Sequence, residues 1–217
     1  MRKILFSVCA VLAIMGCNSV DTDFPCLSCG RCSNPVVSNN SVTCGGQTYR
    51  TVRIGSQTWF AENLNYNASG SVCYDNNSSN CAIYGRLYNW STAMTVCPSG
   101  WYLPSDAEWD ILVNYAGGSS TAGTKLKAAS GWYDCGPSSS GSSYSCEDTY
   151  GFSALPGGYG LSDGSFYDVG DRGNWWSATE YYGGGGSGDL GWDMHYRKSK
   201  TRTNGKSYLL SVRCVQD

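Results

Sequence analysis

The chain is poor in the residues that most catalysis at neutral pH relies on. It has one histidine, His195, and so one side chain ready to act as a general base near neutral pH. No Gly-x-Ser-x-Gly elbow accompanies it, which removes the usual context for a serine nucleophile. Alternation along residues 192–197 puts Trp192, Met194 and Tyr196 on one strand face and Asp193, His195 and Arg197 on the other. His195 therefore reads as part of a solvated strand face, and no catalytic residue is assigned. Asp163, Asp168, Asp171 and Glu180 lie among glycines without the spacing of an EF-hand loop, and they read as turn formers. No apolar run reaches the roughly 20 residues that a bilayer crossing takes. No segment repeats at a fixed period.

What the N-terminus does hold is the three-part order of an export signal. Arg2 and Lys3 supply positive charge, Ile4 to Ile14 form an uncharged apolar run, and Met15-Gly16-Cys17 closes it with a small residue before a cysteine. Gly16-Cys17 resembles the lipobox of bacterial lipoproteins, in which the cysteine is acylated and becomes the mature N-terminus. Residues 1–16 are thus expected to be a removed signal peptide. Cys17 is the expected lipid tether, holding the protein on the bacterial cell envelope, with the outer membrane or cell surface favoured. Loss of Arg2 and Lys3 leaves 13 basic against 17 acidic side chains, a formal net charge of −4. That balance argues against nucleic acid or an anionic membrane as a partner.

Of twelve cysteines, Cys9 leaves with the signal and Cys17 takes the lipid, so ten remain. An even number in an exported chain reads as disulfides. Local spacing suggests Cys73 with Cys81 and Cys135 with Cys146, each around a polar loop, leaving Cys97 and Cys214 for a long-range bridge. Cys26, Cys29, Cys32 and Cys44 form a cluster with three possible pairings. Cys26-x-x-Cys29-x-x-Cys32 has a spacing that can wrap zinc or an iron–sulfur cluster, but no second Cys-x-x-Cys follows and the compartment favours oxidation. The expectation is a disulfide-stapled linker, with no metal and no cofactor.

Residues 17–43 read as the lipidated cysteine and a tether, and residues 44–217 as the globular domain. Thr48 to Ile54, Gly55-Ser56 and Gln57 to Ala61 spell a hairpin. Leu87, Tyr88, Ser91 and Thr95 fall at helical spacing within Tyr84 to Val96. Ser105-Asp106-Ala107-Glu108 is a capping box leading into Trp109, Leu112, Val113 and Ala116, and Gly117-Gly118 ends that helix. A short helical stretch follows around Thr124 to Ala129. Beyond Gly151 the expected strands are 152–157, 165–168, 174–178, 191–196 and 208–215, with 183–186 a flexible loop. The pattern predicts an α+β domain with two main helices followed by antiparallel strands.

Five blocks carry a resemblance. They are Val52-Arg53-Ile54-Gly55-Ser56-Gln57-Thr58-Trp59-Phe60-Ala61-Glu62-Asn63-Leu64-Asn65-Tyr66; Cys97-Pro98-Ser99-Gly100-Trp101-Tyr102-Leu103-Pro104-Ser105-Asp106-Ala107-Glu108-Trp109; Tyr150-Gly151-Phe152-Ser153-Ala154-Leu155-Pro156-Gly157-Gly158; Trp175-Trp176-Ser177-Ala178-Thr179-Glu180; and Ser211-Val212-Arg213-Cys214-Val215. Together they resemble the Fibrobacter succinogenes major paralogous domain over nearly all of Cys44 to Asp217. The resemblance implies an abundant, exported, lipid-anchored protein of a family with no activity assigned to it as a class. More distantly, Trp101 to Pro104 leading into Glu108-Trp109, with the closing Arg213-Cys214, is similar to the formylglycine-generating-enzyme and C-type-lectin-like fold. In that fold a terminal cysteine commonly bridges back, which the pair Cys97 and Cys214 fits. The chain departs from both chemistries of that fold. Trp192 to Leu210 holds no cysteine for the oxidase, and no Glu-Pro-Asn or Gln-Pro-Asp loop is present for calcium-dependent sugar binding.

With 8 Trp and 16 Tyr, aromatic side chains are the conspicuous resource. Tyr159, Phe166, Tyr167, Trp175, Trp176, Tyr181 and Tyr182 lie beside glycine-rich loops. Flat rings with polar neighbours are what a sugar-binding surface needs. Since adjacent strand residues point to opposite faces, one of Trp175 and Trp176 is expected in the core and the other outward. The sequence thus supports a non-enzymatic recognition module for polysaccharide or a surface protein. The alternatives are an enzyme on a formylglycine-generating-enzyme-like fold and a structural envelope protein.

Overall fold

The computed structural model describes residue 32 and residues 35–135, 145–183, 186–195, 198–205 and 207–217, without the side chains of 181–190 and 195–204. Cys17, Cys26 and Cys29 lie outside the described residues. The structure is mixed α+β, mostly sheet with few helices. The first half contains β1 (Val36–Ser38), β2 (Ser41–Cys44), β3 (Gln47–Ile54), β4 (Gln57–Phe60), β5 (Ser71–Val72), α1 (Ser78–Tyr84), β6 (Leu87–Tyr88), α2 (Trp90–Val96), β7 (Trp101–Tyr102), α3 (Asp106–Tyr115) and α4 (Ala122–Leu126). The second half contains β8 (Gly157–Leu161), β9 (Phe166–Val169), β10 (Gly173–Gly183), β11 (Gly186–His195), β12 (Lys198–Asn204), β13 (Tyr208–Ser211) and β14 (Val215–Gln216). One sheet has the order β1-β2-β3-β4-β14-β7. The other runs β12-β11-β10-β8-β13-β6-β5, with β9 paired to β8.

Local chemistry accounts for the best-marked elements. The β3–β4 hairpin turns at Gly55, whose φ of 61° suits a residue without a side chain, and pairs Ile54 with Gln57. At the start of α3 the Ser105 hydroxyl accepts from the Glu108 amide at 3.4 Å while the Ser105 amide donates to Glu108 at 2.7 Å. Trp109, Leu112 and Val113 form the buried stripe of that helix.

Elsewhere tertiary contacts override the sequence pattern. The helix expected over 84–96 is broken: α1 ends at Tyr84, Leu87–Tyr88 pairs with both β5 and β13, and Asn89 restarts a helix by capping the Thr92 amide. The break falls at Gly85, where a Cβ would sit 2.8 Å from that of Asn63. The strand expected over 152–157 does not form before Gly157, apart from a single bridge between Ala154 and Lys127. The Phe152 and Ser153 carbonyls accept from Arg213, and the Ala154 carbonyl accepts from both the Ala128 amide and Trp132. Residues 36–44, which have the composition of a tether, form an antiparallel hairpin that continues into β3. The single strand expected over 208–215 is split, because the Val212 and Cys214 carbonyls accept from Leu64 and Phe60 while the chain passes from one sheet to the other. Gly183 and Gly186 are register partners at the end of the β10–β11 hairpin, and β12, which no apolar period announces, is held by pairing with β11.

Two apolar clusters lie on the two faces of β10. Trp176 belongs to one, with Tyr49, Phe60, Tyr88, Trp101 and Val212. Trp175 belongs to the other, with Trp59, Trp109, Phe152, Trp192 and Met194. Each buried indole removes about 200 Å² from water, worth about 5 kcal/mol before entropy is counted. Disulfides join Cys32 to Cys44, Cys73 to Cys81, Cys135 to Cys146 and Cys97 to Cys214. The last spans 117 residues of sequence, a loop whose closure restricts the unfolded chain by about 5 kcal/mol in the chain-entropy model.

Between the clusters lies Arg213, with no solvent exposure. Its guanidinium donates to Asn63 Oδ1 at 2.7 and 3.2 Å, to the Phe60 carbonyl at 3.1 Å and to the carbonyls of Phe152 and Ser153, and it lies 4.5 Å over the Phe152 ring. Burial pulls its pKa down to about 9. Asn63 Oδ1 also accepts from Trp175 Nε1 at 2.8 Å, and Asn63 Nδ2 donates to the Tyr84 carbonyl at 2.9 Å.

Two outcomes follow from this packing. Asn63→Leu should destabilise the fold by about 3–5 kcal/mol, since it strands a buried charge and an indole N–H. Arg50→Ala, at a side chain 64% exposed, should cost less than about 1 kcal/mol, and urea midpoints distinguish the two. Stability should also fall between pH 10 and 12. Burial raises Tyr49 to about 12 and Tyr88 well above 10, and the hydrogen bond to Glu108 followed by burial raises Tyr102 to about 12. Above pH 10 the unfolded chain releases protons that these folded tyrosines keep, so unfolding becomes progressively easier up to pH 12. Tyr102→Phe should flatten that slope in a titration of the urea midpoint.

Candidate functional site

A row of tyrosines crosses three strands at the margin of the larger sheet. Register sets Tyr159 of β8 directly opposite Tyr167 of β9, and Tyr208 of β13 opposite Leu161, diagonal to Tyr159. The Tyr159 and Tyr167 rings stack at 5.4 Å and 28°, and those of Tyr159 and Tyr208 meet at 5.3 Å and 33°. Tyr167 is the outer member, 44% exposed, while Tyr159 and Tyr208 are half-buried against the Trp176 cluster. The adjacent Gly158 has a φ of 64°, and a Cβ there would come within 2.3 Å of the Tyr167 carbonyl oxygen. The close pairing of β8 with β9 therefore requires glycine at that position.

The turn from β9 to β10 adds charge beside the row. Asp168, itself at a φ of 63°, accepts the Arg172 amide on its carbonyl at 2.9 Å, and its carboxylate lies 3.2 Å from Arg172 Nε. Arg172 also reaches Asp193 at 3.4 Å and Asp171 at 3.8 Å. Burial first, then the neighbouring Asp168, Tyr208 and Tyr167, raise the Tyr159 pKa, with Arg172 opposing. At neutral pH Tyr159 is therefore a neutral hydroxyl, able both to donate and to accept. Phenol hydroxyls, a carboxylate, a guanidinium and one exposed ring surface are thereby gathered at one place. Such groups can donate hydrogen bonds to hydroxyls and accept them.

Of the aromatic residues singled out in the sequence, the row unites Tyr159 and Tyr167. Phe166 turns away, opposite Gly160, and packs against Tyr74 at 5.2 Å. Trp175 and Trp176 are both fully buried, so neither is outward and neither is available to a ligand. Alternation does place them on opposite faces, but β10 is an interior strand and each face meets a core. Trp176 Nε1 donates to the Tyr88 carbonyl at 2.6 Å, and Trp175 Nε1 is taken by Asn63. The side chains of Tyr181, Tyr182 and His195 lie outside the described residues. Tyr208, Asp168 and Arg172 were not evident as site residues, because only strand register and the turn bring them to Tyr159.

Other chemistry-bearing groups are committed elsewhere. Asp163 accepts from the Ser165 amide at 2.9 Å and from its hydroxyl, forming a local turn. Asp134, Cys135 and Cys146 bring three potential ligand atoms within 4.8 Å of one another, but the two sulfurs are bonded together and Asp134 pairs with the buried Lys127 at 2.8 Å. Lys127 also lies 4.0 Å over the Trp132 ring. A hollow of about 310 Å³ is lined by Ser120, Thr121, Thr124, Ser145 and Glu147, without an aromatic wall.

A family model, the Fibrobacter succinogenes major domain, matches residues 52–216. No curated protein and no solved structure matches the chain.

Trp175→Ala and Trp176→Ala should each cost about 3–5 kcal/mol of folding stability, the loss expected of an emptied indole site in a packed core. Tyr167→Ala should cost less than about 1 kcal/mol. Chemical denaturation reads both, and a Trp176→Ala variant as stable as Tyr167→Ala would refute the core assignment.

Proposed function

The chain belongs to the Fibrobacter succinogenes major domain family, and from that premise we propose that it is a lipid-anchored, non-enzymatic recognition module that faces outward from the bacterial cell envelope and binds polysaccharide. The tyrosine row with Asp168 and Arg172 beside it carries this reading. Sugar rings present apolar faces and equatorial hydroxyls, and a recognition surface answers them with ring carbons and paired donors and acceptors. Stacking of Tyr159 between its neighbours uses up ring faces within the row, so the hydroxyl edges and the exposed surface of Tyr167 are what a ligand meets.

Anchorage rests on the signal-like residues 1–16 and on Cys17, which in a lipoprotein carries the acyl chains. The residues that follow Cys17 tie the domain to that anchor. A C-type-lectin-like architecture accords with the mixed α+β fold and with the Cys97–Cys214 bridge that closes the last strand onto an earlier element. On that scaffold function resides in the site rather than in the fold, so the tyrosine row and not the topology is what needs testing.

The mature chain from residue 17, bearing Cys17→Ser and oxidised, should stay out of the membrane fraction, which frees it for assay in solution. It should be retained saturably on insoluble polysaccharide, and the double variant Tyr159→Ala, Tyr167→Ala should bind at least about tenfold more weakly with its near-ultraviolet circular dichroism unchanged. Failure of the parent to bind any polysaccharide would sink the reading and leave a protein partner or an envelope-structural role.

A further inference from the structure

A buried amine, Lys127, takes no part in the proposed binding surface. It follows the last turn of α4 and has no solvent exposure. Its Nζ donates to Asp134 Oδ2 at 2.8 Å, and the Asp134 side chain is itself 9% exposed. Nζ also lies 4.0 Å from the centre of the buried Trp132 ring, which covers one side of the pair. Asp171 and Asp193, the other carboxylates whose charge reaches Lys127, are drawn to Arg172 at 3.8 and 3.4 Å. Asp134 is thus the carboxyl group that the fold sets against this amine.

Both partners are held from either side. The Lys127 amide donates to the Gly123 carbonyl at 3.2 Å, and the Ala128 amide to the Ala154 carbonyl at 2.9 Å. On the other limb Trp132 Nε1 donates to that same carbonyl, the Tyr133 amide donates to Gly170 at 2.8 Å, and Cys135 is bonded to Cys146. Reactants fixed at close range behave as if each were present at about 10⁵ M or more, provided the orientation is right. Burial also changes their ionisation. In water an amine and a carboxylic acid resist condensation because both are charged and well hydrated. Here burial pulls the Lys127 pKa below its usual value, with Asp134 opposing. In a low dielectric, transfer of one proton along the hydrogen bond leaves a neutral amine facing a neutral acid.

We propose that Lys127 and Asp134 condense into an intramolecular isopeptide bond, so that the domain carries a covalent cross-link besides its disulfides. The Nζ lone pair attacks Asp134 Cγ and the N–C bond forms. The bond from Cγ to one carboxyl oxygen breaks, and that oxygen leaves as water with two of the three protons of the original ammonium. Nothing is oxidised or reduced, and no co-reactant is needed. The product exchanges two buried charges for one neutral amide, which relieves the desolvation cost of the ion pair. The link spans seven positions of sequence and fastens the segment carrying Trp132 to the end of α4.

The test is the mass of the mature chain from residue 17, bearing Cys17→Ser and oxidised during folding, then fully reduced and denatured. The expected main species is lighter than its sequence by one water, about 18 Da. Trypsin should fail to cut after Lys127 and should release a linked peptide running from Leu126 to Arg172. Asp134→Asn, which keeps the shape of the site, should condense with loss of ammonia, about 17 Da, and yield the same linked peptide as the parent. Asp134→Ala should carry its full sequence mass and be cut after Lys127. A parent of full sequence mass, cut after Lys127, would overturn the proposal and leave an ion pair only. A loss of about 18 Da with Lys127 still cut would overturn it as well, because a succinimide at Asp134 has that mass and leaves the amine free.

Discussion

Arg213 needs five acceptor positions in a place that water does not reach, and meeting that need joins most of the molecule. Among the described residues its hydrogen-bond acceptors are Asn63 Oδ1 and the carbonyls of Phe60, Phe152 and Ser153. These come from the end of β4, the loop after it and the segment before β8, while Arg213 itself lies between β13 of one sheet and β14 of the other. A guanidinium held by neutral dipoles in a low dielectric tolerates no loose member, because each lost partner leaves charge unsolvated. Asn63 extends the constraint, since the same oxygen also takes the Trp175 indole and so fixes the central strand to the node. The irregular backbone at 152–156 meets this node, where the Phe152 and Ser153 carbonyls turn toward the guanidinium.

With β10 pinned in the middle, the two cores divide the aromatic residues between them. Five tryptophans and Phe152 fill one side, with Trp109 stacked on Trp192 at 5.8 Å and tilted against Trp59 at 4.9 Å. The other side is built from Tyr49, Phe60, Tyr88, Trp101 and Trp176. At the sheet margin, where β9 attaches to β8, the tyrosine row emerges from the core that holds Trp176. The proposed recognition surface is thus the partly exposed border of a core, and its rings are positioned by the same packing that holds the fold together. Asp168 and Arg172 form a partly exposed ion pair across the tight turn on that border.

Elements whose signal is local were legible in the sequence. The hairpin at Gly55 and the capping box at Ser105 each depend on residues within a few positions of one another, and both stand where the pattern puts them. The family blocks likewise lie in residues 52–216. Elements that depend on distant partners were not. Leu87 and Tyr88 fit a helical period until β5 and β13 claim them as a strand. Trp175 and Trp176 look like an inward and an outward ring until the outward side proves to be a second core. β12 has no apolar alternation of its own, because an edge strand with one polar face is defined by its neighbour's hydrogen bonds rather than by its own hydrophobicity.

By itself the sequence determined the mixed α+β class, the local turns and caps, the family and the wealth of aromatic residues, all of which are properties of short segments or of composition. Only the tertiary structure decided which of those aromatics face solvent, that Tyr159, Tyr167 and Tyr208 form one row, and that Asp168 and Arg172 stand beside it. The reason is that burial and adjacency across a sheet depend on strand order and register, and these are settled by contacts between residues as far apart as Asn63 and Arg213.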